Sequence, residues 1–218
     1  MSRKALGLIF SALAISFSAL AANGKVEPIG AFSDQSAPEP VKKNLEAKGY
    51  RVTLDDGSVA CEIWLRAGVA TGKSETQGAV YTGLSVSTMV GVINFPKAAN
   101  DFRGQAIKAG AYTLRYAVHP LDGNHLGISP IRDFLVLVPV SADQNPEAEY
   151  KFEDLMKMSM KASGTNHPAV ISLANVDASA APSVLENEHG HIIFAAKLKT
   201  QSAAEMPIAF VVKGRAEQ

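Results

Sequence analysis

Apolar and polar residues alternate with a period of two along most of this chain, which is the spacing of strand faces rather than of helix faces. The most structured stretch, residues 107–140, reads as a long hairpin of two strands split by a Pro/Gly/Asn/Asp-rich loop. Tyr112, Leu114 and Tyr116 fall on one side of a first strand, and Thr113, Arg115 and Ala117 on the other. A return strand over 133–140 is almost wholly apolar, which predicts burial on both faces, and Pro139 marks its end or an edge. Residues 50–66 predict a hairpin with Asp56-Gly57 as a two-residue turn, because glycine accepts the positive φ such a turn requires. That turn pairs Leu54 with Val59, Val52 with Cys61 and Tyr50 with Ile63, all on one face. Trp64 falls on the opposite face with Glu62 and Arg66, where a large aromatic is expected to pack against another element.

Further strands are expected over 79–95 (one or two, the stronger at 89–95), 169–173, 190–198 and 207–213. Helical spacing shows at 39–48, where Val41 and Leu45 lie four apart before Gly49, and at 146–161. Residues 22–37 carry Gly24, Pro28 and Gly30 and read as an irregular lead-in, and 175–182 as a loop. The sum is a mainly β protein: an antiparallel β-sandwich of about eight strands with two short helices.

The first 21 residues have the form of a secretory signal peptide. Arg3 and Lys4 precede an apolar run, and Ala19-Leu20-Ala21 is a small-x-small cleavage site. Cleavage there leaves 197 of the 218 residues, 22–218, enough for one sandwich domain. No second apolar run is long enough to span a bilayer, so no membrane span is expected after cleavage. The whole chain has 21 basic and 21 acidic residues. The leader holds two basic and no acidic ones, which leaves a mature excess of two negative charges. That balance argues against a nucleic-acid partner. Cys61 stands alone, which excludes an intramolecular disulfide or a CxxC pair, and its place on the apolar face predicts a buried thiol.

Candidate chemistry is sparse. Ala-Thr-Gly-Lys-Ser at 70–74 lacks the first glycine of a phosphate loop, since position 67 is Ala67. There is no Gly-x-Ser-x-Gly elbow. Met156, Met158 and Met160 suggest a soft-metal run, but on a helix the three point in different directions, and core filling or exposure accounts for them. The loop 119–132 is long, and loops of that length are usually functional or held by their own contacts. It carries His119, Asp122, Asn124, His125 and Arg132. His167 and His191 lie in other loops that can close on it, and His189-x-His191 suits chelation if on a strand. The metal candidates are therefore His119, His125, His167 and His191, for Zn or Cu, and the candidate binding loop is Asp122, Asn124 and Arg132.

The segments Glu62-Ile63-Trp64-Leu65-Arg66, Gly110-Ala111-Tyr112-Thr113-Leu114-Arg115-Tyr116 and Pro120-Leu121-Asp122-Gly123-Asn124-His125-Leu126-Gly127 resemble an uncharacterised family of exported bacterial proteins, over most of the mature chain. The resemblance implies an exported bacterial β protein and supplies no reaction. The expectation is a periplasmic or secreted, non-catalytic module of the cell envelope that binds a protein or small-molecule ligand. The alternative is a metal-binding protein or metal-dependent enzyme using loop histidines.

Overall fold

The structure is a computed structural model and describes residues 24–72, 76–121, 129 and 131–214. Residues 1–21, read above as a signal peptide, and the loop residues Asp122, Asn124 and His125 lie outside that range. In chain order the elements are β1 Gly24–Ile29, α1 Glu39–Lys43, β2 Gly49–Leu54, β3 Val59–Leu65, β4 Met89–Phe95, β5 Ala99–Asn100, β6 Ala106–Ile107 and β7 Gly110–Val118. There follow β8 Asp133–Pro139, a 3-10 turn Val140–Ala142, α2 Phe152–Ser163, β9 Val170–Ser172, β10 Ser183–Glu186, β11 Ile192–Lys199 and β12 Glu205–Lys213. The described chain is mainly β, 42% strand and 11% helix, as its alternation predicts.

Seven strands form an antiparallel sheet in the order β1-β2-β3-β4-β7-β8-β9, and β10-β11-β12 form a second. The principal core lies between them. Val52, Cys61, Ile63, Leu65, Tyr112, Leu114, Tyr116, Leu135 and Leu137 face Phe194, Ala196, Leu198, Ile208, Phe210 and Val212. Each fully buried Phe or Leu there contributes roughly 1.5–3 kcal/mol relative to exposure. One flank is stitched: Leu173 bridges Phe210, and the Ala174 N–H donates to the Ala209 carbonyl at 2.9 Å.

The outer face of β7 and β8 is also covered, which explains the unbroken apolar run of 134–138. Ala117, Phe134, Val136 and Val138 pack under Leu155 of α2. Beside them Arg115 is fully buried. Its Nε and one terminal nitrogen bind the two oxygens of buried Asp143 at 2.6 and 2.7 Å. Its remaining hydrogens go to the carbonyls of Ser87 (2.7 Å), Asn145 (2.7 Å) and Ala148 (2.9 Å). This arrangement moves the start of α2. The spacing predicts a helix from 146, but the Asn145 and Ala148 carbonyls are drawn to Arg115, and the helix begins at Phe152. It ends at Gly164, whose φ of 67° is left-handed and whose N–H returns to the Met160 carbonyl at 3.0 Å.

Other expectations need correction. Residues 24–29 are an edge strand in full register with β2, Gly24 opposite Leu54 through Ile29 opposite Gly49. Pro28 disguises it, yet an edge is where a sheet tolerates proline. In the β2–β3 hairpin, Tyr50–Ile63 and Val52–Cys61 pair as predicted, but a bulge after Val52 sets Thr53, not Leu54, opposite Val59. Leu54 N–H donates to Ser58 and Gly57 N–H to Leu54, a longer turn than two residues. Only 89–95 of the stretch 79–95 is strand, and the helix expected over 39–48 is confined to 39–43. Trp64 packs on Phe32, ring centroids 4.8 Å apart, and donates to the Gly30 carbonyl at 2.8 Å.

Cys61 is buried, and burial pushes its thiol pKa well up. The native protein is therefore expected to resist a water-soluble disulfide reagent and to react stoichiometrically once unfolded in urea. Rapid native labelling at Cys61 would contradict its core position.

Candidate functional site

His119 follows β7 directly and continues the outward row of Thr113, Arg115 and Ala117. Its ring stacks on Phe134, centroids 4.0 Å apart and planes within 16°. Arg132 fixes the base of the loop here. The His119 N–H donates to the Arg132 carbonyl at 2.9 Å, and Arg132 Nε donates to the His119 carbonyl at 3.0 Å. A terminal nitrogen of Arg132 donates to the Gln77 carbonyl. The guanidinium proposed for a ligand is thus engaged in closing the loop on itself.

Around this stack lies a cleft of about 450 Å³, built from three directions. The outer sheet face supplies His119, Phe134, Val170 and Ser172. One face of α2 supplies Phe152, Met156 and Met160, spaced four apart and hence aligned on one side of the helix. The turn between β5 and β6 supplies Asp101, Phe102, Arg103 and Gln105, and His167 and Pro168 complete it. Asp101, His119 and Phe134 are buried in its depths, whereas Arg103, Gln105 and His167 are exposed.

Asp101 shapes its own turn. One carboxylate oxygen accepts the Arg103 and Gln105 N–H groups at 2.9 and 2.8 Å. Burial nevertheless raises its pKa, and the two backbone N–H bonds and the nearby Arg103 charge only partly counter this. His167 is positioned by Ser163. That hydroxyl lies 2.5 Å from the His167 carbonyl and 3.2 Å from that of Met160, folding the loop back against the last turn of α2.

The histidines divide. His119 and His167 share the cleft, while His191 is buried behind it with its ring 4.5 Å from that of Phe102, a cleft residue. Asn187 holds His191, its side-chain oxygen accepting the His191 N–H at 2.9 Å. His189 is exposed beside Glu188. Among the described residues, no three His, Cys, Asp or Glu side chains come together as a metal site, so His119, His167 and His191 do not form one. Asp122, Asn124 and His125 lie outside the described residues.

A second hollow of about 390 Å³ lies by Trp64, with Arg51, Glu62 and Asn94 in its wall. Those three bind one another, Glu62 accepting from Arg51 at 2.7 Å and from Asn94 at 3.2 Å, so their polar capacity is used internally. The α2 cleft is the better site. Its Asp101, Phe102, Arg103 and Phe134 escaped the sequence reading because they come from separate segments. The row 152, 156, 160 was legible, since i, i+4 spacing marks a shared face.

No family model, curated protein or solved structure matches the chain. Among the described residues, no helix is long and apolar enough to cross a membrane.

Proposed function

We propose that this is an exported, non-catalytic binding protein of the bacterial cell envelope, which holds a small ligand with an apolar body and a polar end in the α2 cleft. The observation that carries the reading is the cleft lining: Phe102, Phe134, Phe152, Met156 and Met160 form apolar walls beside a few polar groups, Asp101, Arg103, His119 and His167. Small-molecule sites combine apolar and aromatic walls with a few placed polar groups in this way, at volumes of about 300–1,000 Å³. The leader-like first 21 residues support export.

The test uses 1-anilinonaphthalene-8-sulfonate, an apolar fluorophore with an anionic end. The native protein is expected to bind it with enhanced fluorescence. Met160→Glu, which places a charge on the half-buried cleft wall, is expected to weaken binding at least about tenfold, or 1.4 kcal/mol, at unchanged circular dichroism. No binding by the native protein, or equal binding by Met160→Glu, counts against the cleft.

A further inference from the structure

We propose that the cleft binds Cu(I), with the thioethers of Met156 and Met160 and the imidazole of His167 as ligands. The proposal rests on the reading that the α2 cleft is a ligand site, and it names a soft monovalent cation as one occupant.

Met156 and Met160 sit one helical turn apart, and both line the cleft. Residues so spaced have Cβ atoms about 5–6 Å apart. Each methionine adds three rotatable bonds, so the two sulfurs can converge on one ion without moving the helix. The helix is fixed from its other side. Leu155, Ser159 and Ala162 are buried, and the Ser159 hydroxyl donates to the Ala169 carbonyl at 2.8 Å. The third ligand comes from the loop that Ser163 folds back. One hydroxyl lies within hydrogen-bond reach of both the Met160 and the His167 carbonyls, so His167 stands beside the turn that carries Met160.

The donor set selects the metal. Thioethers are soft ligands that favour Cu(I), and imidazole also serves copper. Zn²⁺ prefers nitrogen, thiolate and carboxylate donors, and among the described residues no three His, Cys, Asp or Glu side chains come together. The Phe152, Pro168 and Val170 walls suit a singly charged ion better than a doubly charged one, because the cost of moving an ion out of water rises steeply with its charge. The buried Asp101 carboxyl lies in the same cleft and supplies an opposite charge when ionised.

The experiment is an anaerobic competition between the untagged protein and bicinchoninate for Cu(I), run beside the fluorophore titration. The native protein is expected to withdraw a single equivalent of Cu(I). Met156→Leu, Met160→Leu and His167→Ala are each expected to weaken Cu(I) binding at least about tenfold, because losing even an outer partner of a metal site costs 10–100-fold. Leucine conserves side-chain volume, so both Met→Leu variants should keep the circular dichroism and very nearly the urea midpoint of the native protein, which separates lost copper binding from lost folding. X-ray absorption of the copper-loaded native protein should show sulfur neighbours that the double Met→Leu variant lacks. Failure of the native protein to compete, or copper binding unchanged by both Met→Leu substitutions, overturns the proposal. If the fluorophore still binds in that case, the cleft reading survives. Loss of both activities in the native protein removes the two together.

Discussion

Replacing Arg115 with alanine is expected to lower stability by about 3–5 kcal/mol, the cost of stranding a buried charge. Asp143 would keep its carboxylate in the dry layer with neutral hydroxyls, those of Thr113 at 2.6 Å and of Tyr150, in place of a cation. The carbonyls of Ser87, Asn145 and Ala148 would lose the donors that draw 145–150 onto the sheet. The face of Tyr150, 4.7 Å from the guanidinium carbon, would lose its cation. For a domain of this size each kcal/mol moves Tm by about 2–4 °C, so a fall of roughly 6–20 °C is expected in a thermal melt. The double change Arg115→Met with Asp143→Leu refines the reading. Removing both charges of a buried pair can be near neutral, but here the Ser87 carbonyl would lose its Arg115 donor and those of Asn145 and Ala148 would be left to the Ala148 N–H and the Ser87 hydroxyl, so only part of the loss should return. Full recovery, or a single substitution costing under about 1 kcal/mol, would show that Arg115 does not organise this face.

The second large effect is expected at Asp133. Its two oxygens accept the Val80 N–H and the Tyr81 N–H, both at 2.9 Å, and the Tyr116 hydroxyl at 2.7 Å. Tyr81 carries the connection to the second sheet, its hydroxyl donating to the Ala174 carbonyl at 2.8 Å and accepting the Ala209 N–H at 3.0 Å. Asp133→Ala leaves the Tyr81 N–H and the Tyr116 hydroxyl buried and unserved, at about 1–3 kcal/mol each and not additively, so a loss of about 2–4 kcal/mol is expected in urea unfolding. The same cluster sets an alkaline limit. Burial pushes the Tyr81 pKa from 10.0 to about 12, and burial, then the Asp133 hydrogen bond and charge, raise that of Tyr116. A pKa raised on folding means that the neutral phenol is the form the fold favours. Its contribution is complete below pH about 10 and is lost as the pH climbs through about 12. Tyrosinate absorbance followed with urea stability should show ionisation of these two rings and unfolding together.

The strands were legible wherever one face met a core and the other did not, as at Tyr112, Leu114 and Tyr116. The apolar run of β8 correctly announced burial on both faces, although nothing local named α2 as the cover. Three features were hidden for physical reasons. Local composition made β1 look irregular, because Pro28 weakens the strand signal and only pairing with β2 restores it. The start of α2 was misplaced because Arg115, some 30 residues earlier, takes two carbonyls from the approach to the helix. The cleft was half legible. His119 and His167 stood out as loop histidines, whereas Asp101 and Phe102 reach it through a turn whose position depends on tertiary packing. Of the three methionines, Met156 and Met160, four apart, line the cleft and Met158 does not.

The edge strand β1 also bears on how molecules of this protein meet one another. A bare strand edge invites a second chain to extend the ladder, and repetition of that contact gives polymer. Here the edge offers a proline with no N–H to donate, and the outermost side chains include the Lys25–Glu27 ion pair at 3.0 Å. The residue that hid the strand from its own sequence thus removes one backbone donor from the template that this edge would offer a second chain.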